Sequence, residues 1–190
     1  MKLLVAALEI ELDAFPTDLQ GYHRLVTGAG KLKATFELTK ALEQGQYTQI
    51  VVVGTAGSID PTCGGGVHEI ARAIQHDVYD LHGNRGAHLA LEQYVETGRP
   101  GVTIATGDFF VQDEAEVDQI RALGASLVDM ETFAYIWVAQ RMGVPIRAAR
   151  AVSDSAADGA LLSFREKVAL CSQELWQWFV AEGLETGESS

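Results

Sequence analysis

Positive charge is what this sequence has least of. Fourteen Lys and Arg stand against 26 Asp and Glu, for a formal net charge of −12. A chain this acidic repels phosphate backbones and anionic lipid, so nucleic acid and the membrane surface are set aside as partners. Cysteine is scarce too. Cys63 and Cys171 have neither disulfide-framework nor metal-type spacing, and are expected as reduced thiols. No apolar run approaches the ~20 residues of a membrane-spanning helix. The opening stretch, Met1 to Leu8, carries one Lys and meets Glu9 and Glu11 too early for a secretory signal. The cytoplasm is the expected location. Repeats and low-complexity segments are absent.

Apolar residues make up 47% of the chain and charged residues 21%, the balance of a globular protein. One domain is expected over residues 1–183, followed by a loose polar tail, 184–190. Short runs rich in Val, Ile and Leu recur at Leu3–Ala7, His23–Val26, Ile50–Val53, Val102–Ala105, Leu127–Val128 and Ile146–Val152. Continuous apolar runs of this length mark strands buried on both faces. Helical patterns lie between and after them, at Lys31–Glu43, Glu114–Leu123, Glu131–Met142 and Leu161–Ala181. In the last, Phe164, Val168, Cys171, Leu175 and Trp178 share one face. This alternation predicts an α/β fold, a three-layer α/β/α sandwich around a central, mostly parallel, mixed sheet. The segment from Gly64 to Arg99 is harder to assign and holds strand-like, antiparallel pieces.

In open α/β sheets ligands bind beyond the carboxyl ends of the strands. Small residues and acids collect there: Glu9 and Glu11, Thr27-Gly28-Ala29-Gly30, Gly54-Thr55-Ala56-Gly57, Gly107-Asp108-Phe109-Phe110, Asp129-Met130-Glu131 and Ser153-Asp154. Acids arriving from three separate strand ends are the main chemical signal. Each also has a plain structural explanation. Glu9 or Glu11 suits a solvated loop, Asp129 and Glu131 suit the positive end of a helix dipole, and Asp154 suits a helix cap. Common motifs fail. The run Thr27 to Leu32 is no P-loop, because Leu25 and Leu32 replace the required Gly and Ser or Thr. His68-Glu69 lacks the second histidine of a zinc helix, and His76, His82 and His88 have no ligand spacing. No metal and no cofactor is implied.

Taken in order, these segments resemble the nucleoside phosphorylase and nucleosidase superfamily. Val128-Asp129-Met130-Glu131, the turn Gly143-Val144-Pro145 and Arg150-Ala151-Val152-Ser153-Asp154 look most like the methylthioadenosine/S-adenosylhomocysteine nucleosidases. Ala7 to Glu11, Thr27 to Lys31, Gly54 to Gly57, the pair His76-Asp77 and Gly107 to Val111 are similar to further segments of that family. The resemblance implies hydrolysis of the N-glycosidic bond of a purine nucleoside, releasing the free base. It makes Asp154 the acid at the purine N7 and Glu11 the base that activates water. Glu131 then binds the ribose hydroxyls, with Asp129 beside it, and Met130 packs on the sugar. Phe110 stacks on the base and the Val111 backbone reads its edge. Ser153 supports Asp154, and Thr55, Ala56, Gly57 and Arg150 border the water. Breaking this bond builds positive charge on the sugar and negative charge on the base, and two carboxyl groups meet both needs. The chain departs from the family by carrying Asp at position 129 where Glu is usual, and by being shorter between about Asp77 and Pro100. A homodimer is the assembly the resemblance leaves open. Three other readings also stay open: a phosphate-dependent phosphorylase, a futalosine-type nucleosidase and a binding protein on the same scaffold.

Overall fold

The apolar runs form strands that are covered from both sides. In a computed structural model, which describes residues 1–154 and 163–186 and of Asp154 only its place in a strand, β1 spans Lys2–Ala6, β2 Tyr22–Val26 and β3 Ile50–Ser58. Side chains alternate along a strand. Leu3, Val5, Ile50 and Val52 therefore enter one apolar cluster, while Leu4, Ala6, Val51 and Val53 enter another on the opposite face. Burial on both faces is why no polar alternation shows in the sequence.

The remaining strands are β4 Val67–Gln75, β5 Tyr94–Glu96, β6 Val102–Thr106, β7 Leu127–Asp129 and β8 Ile146–Asp154. β3 is the hub. It pairs in parallel with β1 and β8, and its end pairs antiparallel with β7 through Gly57 and Ser58. β4 runs antiparallel to β8 and β5 and parallel to β6, which is in turn parallel to β7. The path β3–β8–β4–β6–β7 thus returns to β3. The expected mixed α/β sheet is present. Its closure into a ring goes beyond the layered sandwich that was expected, and it arises because the long strands β3 and β4 each pair with three neighbours. The ambiguous segment after Gly64 supplies β4 and β5.

Among the described residues four α-helices clothe the sheet: α1 Lys31–Gln44, α2 Glu114–Arg121, α3 Thr132–Met142 and α4 Phe164–Ala181. α1 packs on α3, while α4 covers β8 and β3. α3 is buried almost all round and ends at Gly143, whose φ of 69° is the left-handed stop that glycine adopts without strain. α4 starts from a reciprocal cap between Ser163 and Glu166. Its inner face is Val168, Cys171, Leu175 and Phe179. Two expectations for this helix are corrected. Phe179 takes the core position assigned to Trp178, which is half-buried, and Phe164 stays 56% exposed because the first turn overhangs a cavity. Leu184 also packs into this layer, and its carbonyl accepts from the Tyr22 hydroxyl. No helix among the described residues is long and apolar enough to cross a membrane.

Candidate active site

The chain leaves β1 into a short 3-10 turn, Glu9–Leu12. The turn separates its two acids. Glu9 points outward toward Arg24, its side chain 75% exposed, while Glu11 is only 3% exposed. Glu11 Oε2 accepts from the backbone N–H groups of Ala7 and Leu8 at 3.0 and 2.9 Å. Its Oε1 accepts from Thr55 N at 2.7 Å and Thr55 Oγ1 at 3.0 Å. Four donors from two strand ends therefore fix one carboxylate.

Behind Glu11 lies Arg150, fully buried on β8. Its Nη2 donates to Asp129 Oδ2 at 2.8 Å, and Nε and Nη2 both donate to Thr132 Oγ1. Asp129 is fully engaged. Its Oδ1 accepts from Thr106 Oγ1 at 2.6 Å, and its Oδ2 also accepts from the Thr132 backbone N–H and hydroxyl. Asp129 thus anchors Arg150 and the first turn of α3 rather than offering a free oxygen to the cavity. Gly54 makes room for this arrangement. A Cβ there would stand 2.1 Å from Arg150 Nη1 and 2.9 Å from Glu11 Oε1, so both groups crowd a space that only glycine leaves open. Nη1 has no hydrogen-bond partner among the described residues. Arg150 stays charged: burial works against the cation, but Asp129, Glu131 and Glu11 outweigh it.

Glu131 sits where β7 passes into α3, 6% exposed, its Oε1 accepting from Gly30 N at 2.8 Å. Burial is the largest influence on it. Together with the nearby Asp129 charge, and against the opposing pull of Arg150, it pushes the carboxyl up to about 7. Near neutral pH this carboxyl is therefore partly protonated.

These groups border a cavity of about 220 Å³. Of the residues named from the sequence, Glu11, Thr55, Ala56, Gly57, Phe110, Val111, Asp129, Met130, Glu131 and Ser153 line it. Ser153 is placed by a β-bulge. Ala56 pairs with Val152 but Gly57 pairs with Asp154, so Ser153 is the extra residue. Arg150 is not in the lining; it supports the floor from behind. The Asp154 side chain lies outside the described residues. Leu8, Ala29, Ile59, Phe109, Val117 and Phe164, to which the sequence assigned no role of their own, also line the cavity. Phe109 had a visible signal as the neighbour of Phe110. It stands edge-on to the buried His76 ring, centroids 4.9 Å apart. Phe164 had none, because its helical spacing matched the buried face.

No Lys or Arg lines this cavity among the described residues. Lys31, at the start of α1, is spent: its Nζ donates to Asp77 Oδ1 at 2.6 Å and to Gln75 Oε1 at 3.0 Å. An anion entering the cavity would meet Glu11 and Glu131 instead. Among the described residues no group of three or more His, Cys, Asp or Glu could hold a metal ion. The arrangement suits general acid–base chemistry on an uncharged ligand with an apolar flat part.

Comparison with known proteins agrees with this geometry. The family model described as "Phosphorylase superfamily" matches residues 23–177. The chain is 29% identical over 184 residues to the 5'-methylthioadenosine/S-adenosylhomocysteine nucleosidase of Anoxybacillus flavithermus, covering 83% of this chain and 79% of that one. Its fold is that of the corresponding nucleosidase from Campylobacter jejuni, with a TM-score of 0.82 at 22% identity over 97% of this chain and 98% of that one. A futalosine hydrolase mutant of Helicobacter pylori has the same fold, with a TM-score of 0.79 at 21% identity over 95% and 98%. The matched span holds the glycine turns, Glu131, Arg150 and most of the cavity lining, Glu11 lying before it, and by that match the chain belongs to the phosphorylase superfamily.

Proposed function

We propose that this chain hydrolyses the N-glycosidic bond of a purine nucleoside of the methylthioadenosine/S-adenosylhomocysteine type and releases the free base. The observation that carries the reading is Glu11, a buried carboxylate held by four donors at a cavity whose described lining contains no cation. Three of those donors are backbone N–H groups and cannot leave. The fourth is the Thr55 hydroxyl, which can rotate and let a water take its place on Oε1. Glu11 then accepts a proton as the water attacks the sugar, and its charge steadies the cationic transition state.

Glu131 contacts the ribose hydroxyls with the oxygen that Gly30 does not occupy, and Met130 packs on the sugar. Phe110 stacks on the base while the Val111 backbone reads its edge. Asp154 protonates N7 of the departing purine, with Ser153 beside it; this role rests on the resemblance and on the place of Asp154 at the end of β8. Asp129 serves the site by holding Arg150. We place the activity in the cytoplasm, on the scarcity of cysteine. We also propose a homodimer through the outer face of α1, where Leu32 and Phe36 are 84% and 64% exposed.

The deciding experiment is base release in phosphate-free buffer. Methylthioadenosine, S-adenosylhomocysteine, adenosine, inosine and futalosine are supplied in turn, and free base is followed by chromatography. Release of adenine without phosphate is expected, fastest from methylthioadenosine or S-adenosylhomocysteine. Release only after phosphate is added overturns hydrolysis in favour of a phosphorylase. Fastest release from futalosine moves the substrate. Nucleoside binding with no release under either condition leaves only a binding protein.

A further inference from the structure

His76 and Asp77 follow directly on β4, and the mechanism above uses neither. Asp77 makes two contacts. Its Oδ1 accepts from Lys31 Nζ at 2.6 Å, and its Oδ2 accepts from the Asp108 backbone N–H at 2.8 Å. Asp108 completes a ring, because its Oδ1 accepts from the Lys31 backbone N–H at 2.8 Å. The preceding amide of the chain, that of Gly30, donates to Glu131 Oε1. Two neighbouring N–H groups of one turn thus reach two different sides of the cavity. Gly30 reaches the carboxylate assigned to the sugar, and Lys31 reaches the loop that carries Phe109 and Phe110.

That loop has little else to fix it. Phe109 and Phe110 are 40% and 62% exposed, so apolar packing holds them weakly. Below them the buried His76 ring forms a floor. A Cβ on Gly107 would stand 2.4 Å from that ring, and Phe109 stands edge-on to it. The loop rests on His76, and two links tie it sideways to the sugar side: the Asp108 carboxylate on the Lys31 backbone N–H, and Asp77, which joins Lys31 Nζ to the Asp108 backbone N–H. Both side chains are mostly buried, 15% and 18% exposed, so water competes for the bridge less than at an open surface.

We propose that Asp77 is a positioning residue that ties the base-contacting loop to the turn holding the sugar-contacting carboxylate. The inference rests on the nucleosidase reading of this cavity. Without Asp77 one of the two links is gone, and each substrate must supply part of the ordering of the loop. That cost falls equally on the bound ground state and the transition state, so it weakens binding and leaves the chemical step alone.

The test is a double-mutant cycle on the intact protein, read in KM and kcat for whichever nucleoside the wild type cleaves. Asp77→Asn is expected to raise KM about tenfold, the worth of one charge-assisted hydrogen bond, with kcat within about threefold of wild type. Phe110→Ala is expected to raise KM similarly, and the double variant no further than the larger single change, because Asp77 acts through that loop. A merely structural Asp77 would give factors that multiply, and that result overturns the proposal. So does a fall in kcat that matches the fall in kcat/KM. Lys31→Met cuts the same bridge from its other end and covers the case in which Asp77→Asn fails to fold. It must show the same KM rise and the same coupling to Phe110→Ala, and an unmoved KM overturns the proposal. A wild type that releases no base sinks the nucleosidase reading and this proposal together. An active wild type with multiplying factors sinks this proposal alone.

Discussion

The floor and the mouth of the cavity are built on opposite principles. At the floor, Glu11, Asp129 and Arg150 are buried and interlocked, and both oxygens of each acid are engaged. At the mouth, Phe109, Phe110 and Phe164 are 40%, 62% and 56% exposed. A charged group costs much to bury, and it stays in place only where partners leave it no alternative. An aromatic ring at the rim costs little and gains most of its burial when a flat ligand arrives. The floor is therefore preorganised for chemistry, and the mouth supplies affinity. If that division is right, floor variants should lose rate or stability and mouth variants should lose binding only.

The largest effect is expected at Glu11. Glu11→Gln keeps the shape but removes the proton acceptor, so kcat should fall by about 10²–10⁴-fold, the range for one general base. A kcat within a few-fold of wild type would remove Glu11 from the chemistry. Asp129→Ala comes next and is read in stability. It strips Arg150 of its shortest ion pair and leaves a buried cation under-compensated, at a cost of about 3–5 kcal/mol. Denaturant unfolding measures it. A loss below about 1 kcal/mol would mean that Thr132, Glu131 and Glu11 suffice to hold the guanidinium.

The same division explains what could be seen in the sequence. β1 and β3 were legible because both of their faces are covered, which leaves the unbroken apolar runs Leu3–Ala6 and Ile50–Val53. The acids at the strand ends followed from strand direction alone. β4 was not legible. Glu69 and Arg72 interrupt it, and they are tolerated because Glu69 meets Arg147 and Arg99 while Arg72 meets Glu96. Those partners lie on other strands and loops, beyond the reach of local pattern. Asp129 lines the cavity, but its use as an anchor depends on Thr106 from β6 and Arg150 from β8, which sequence spacing does not encode. Phe164 was assigned to the core because helical periodicity marks a face without saying where that face runs out of sheet to cover.

Glu131 stands between floor and mouth and gives a pH signature. Its folded-state value of about 7 lies above the ordinary 4.5, chiefly through burial. The folded protein therefore holds this proton more tightly than the unfolded chain. The stability it contributes is complete below about 4.5 and is lost as pH rises through about 7. Thermal unfolding of wild type and Glu131→Gln at pH 5 and pH 8 isolates the contribution. The wild type should lose more stability than the variant across that interval, on the order of 1–3 kcal/mol. Equal losses would mean that the carboxyl is not held up by burial.

The smallest effect belongs to the mouth and tests the comparison most directly. Phe110 is more than half exposed, so Phe110→Ala removes little from the folded core, and unfolding stability should stay within about 0.5 kcal/mol of wild type. A stacked aromatic contact contributes about 1 kcal/mol, so KM should rise between about three- and tenfold. Stacking on the base is present before and during bond cleavage, so kcat should hardly move. A kcat that fell with KM unchanged would place Phe110 in transition-state stabilisation. The mouth would then have to be counted with the floor, and the division between them would be lost.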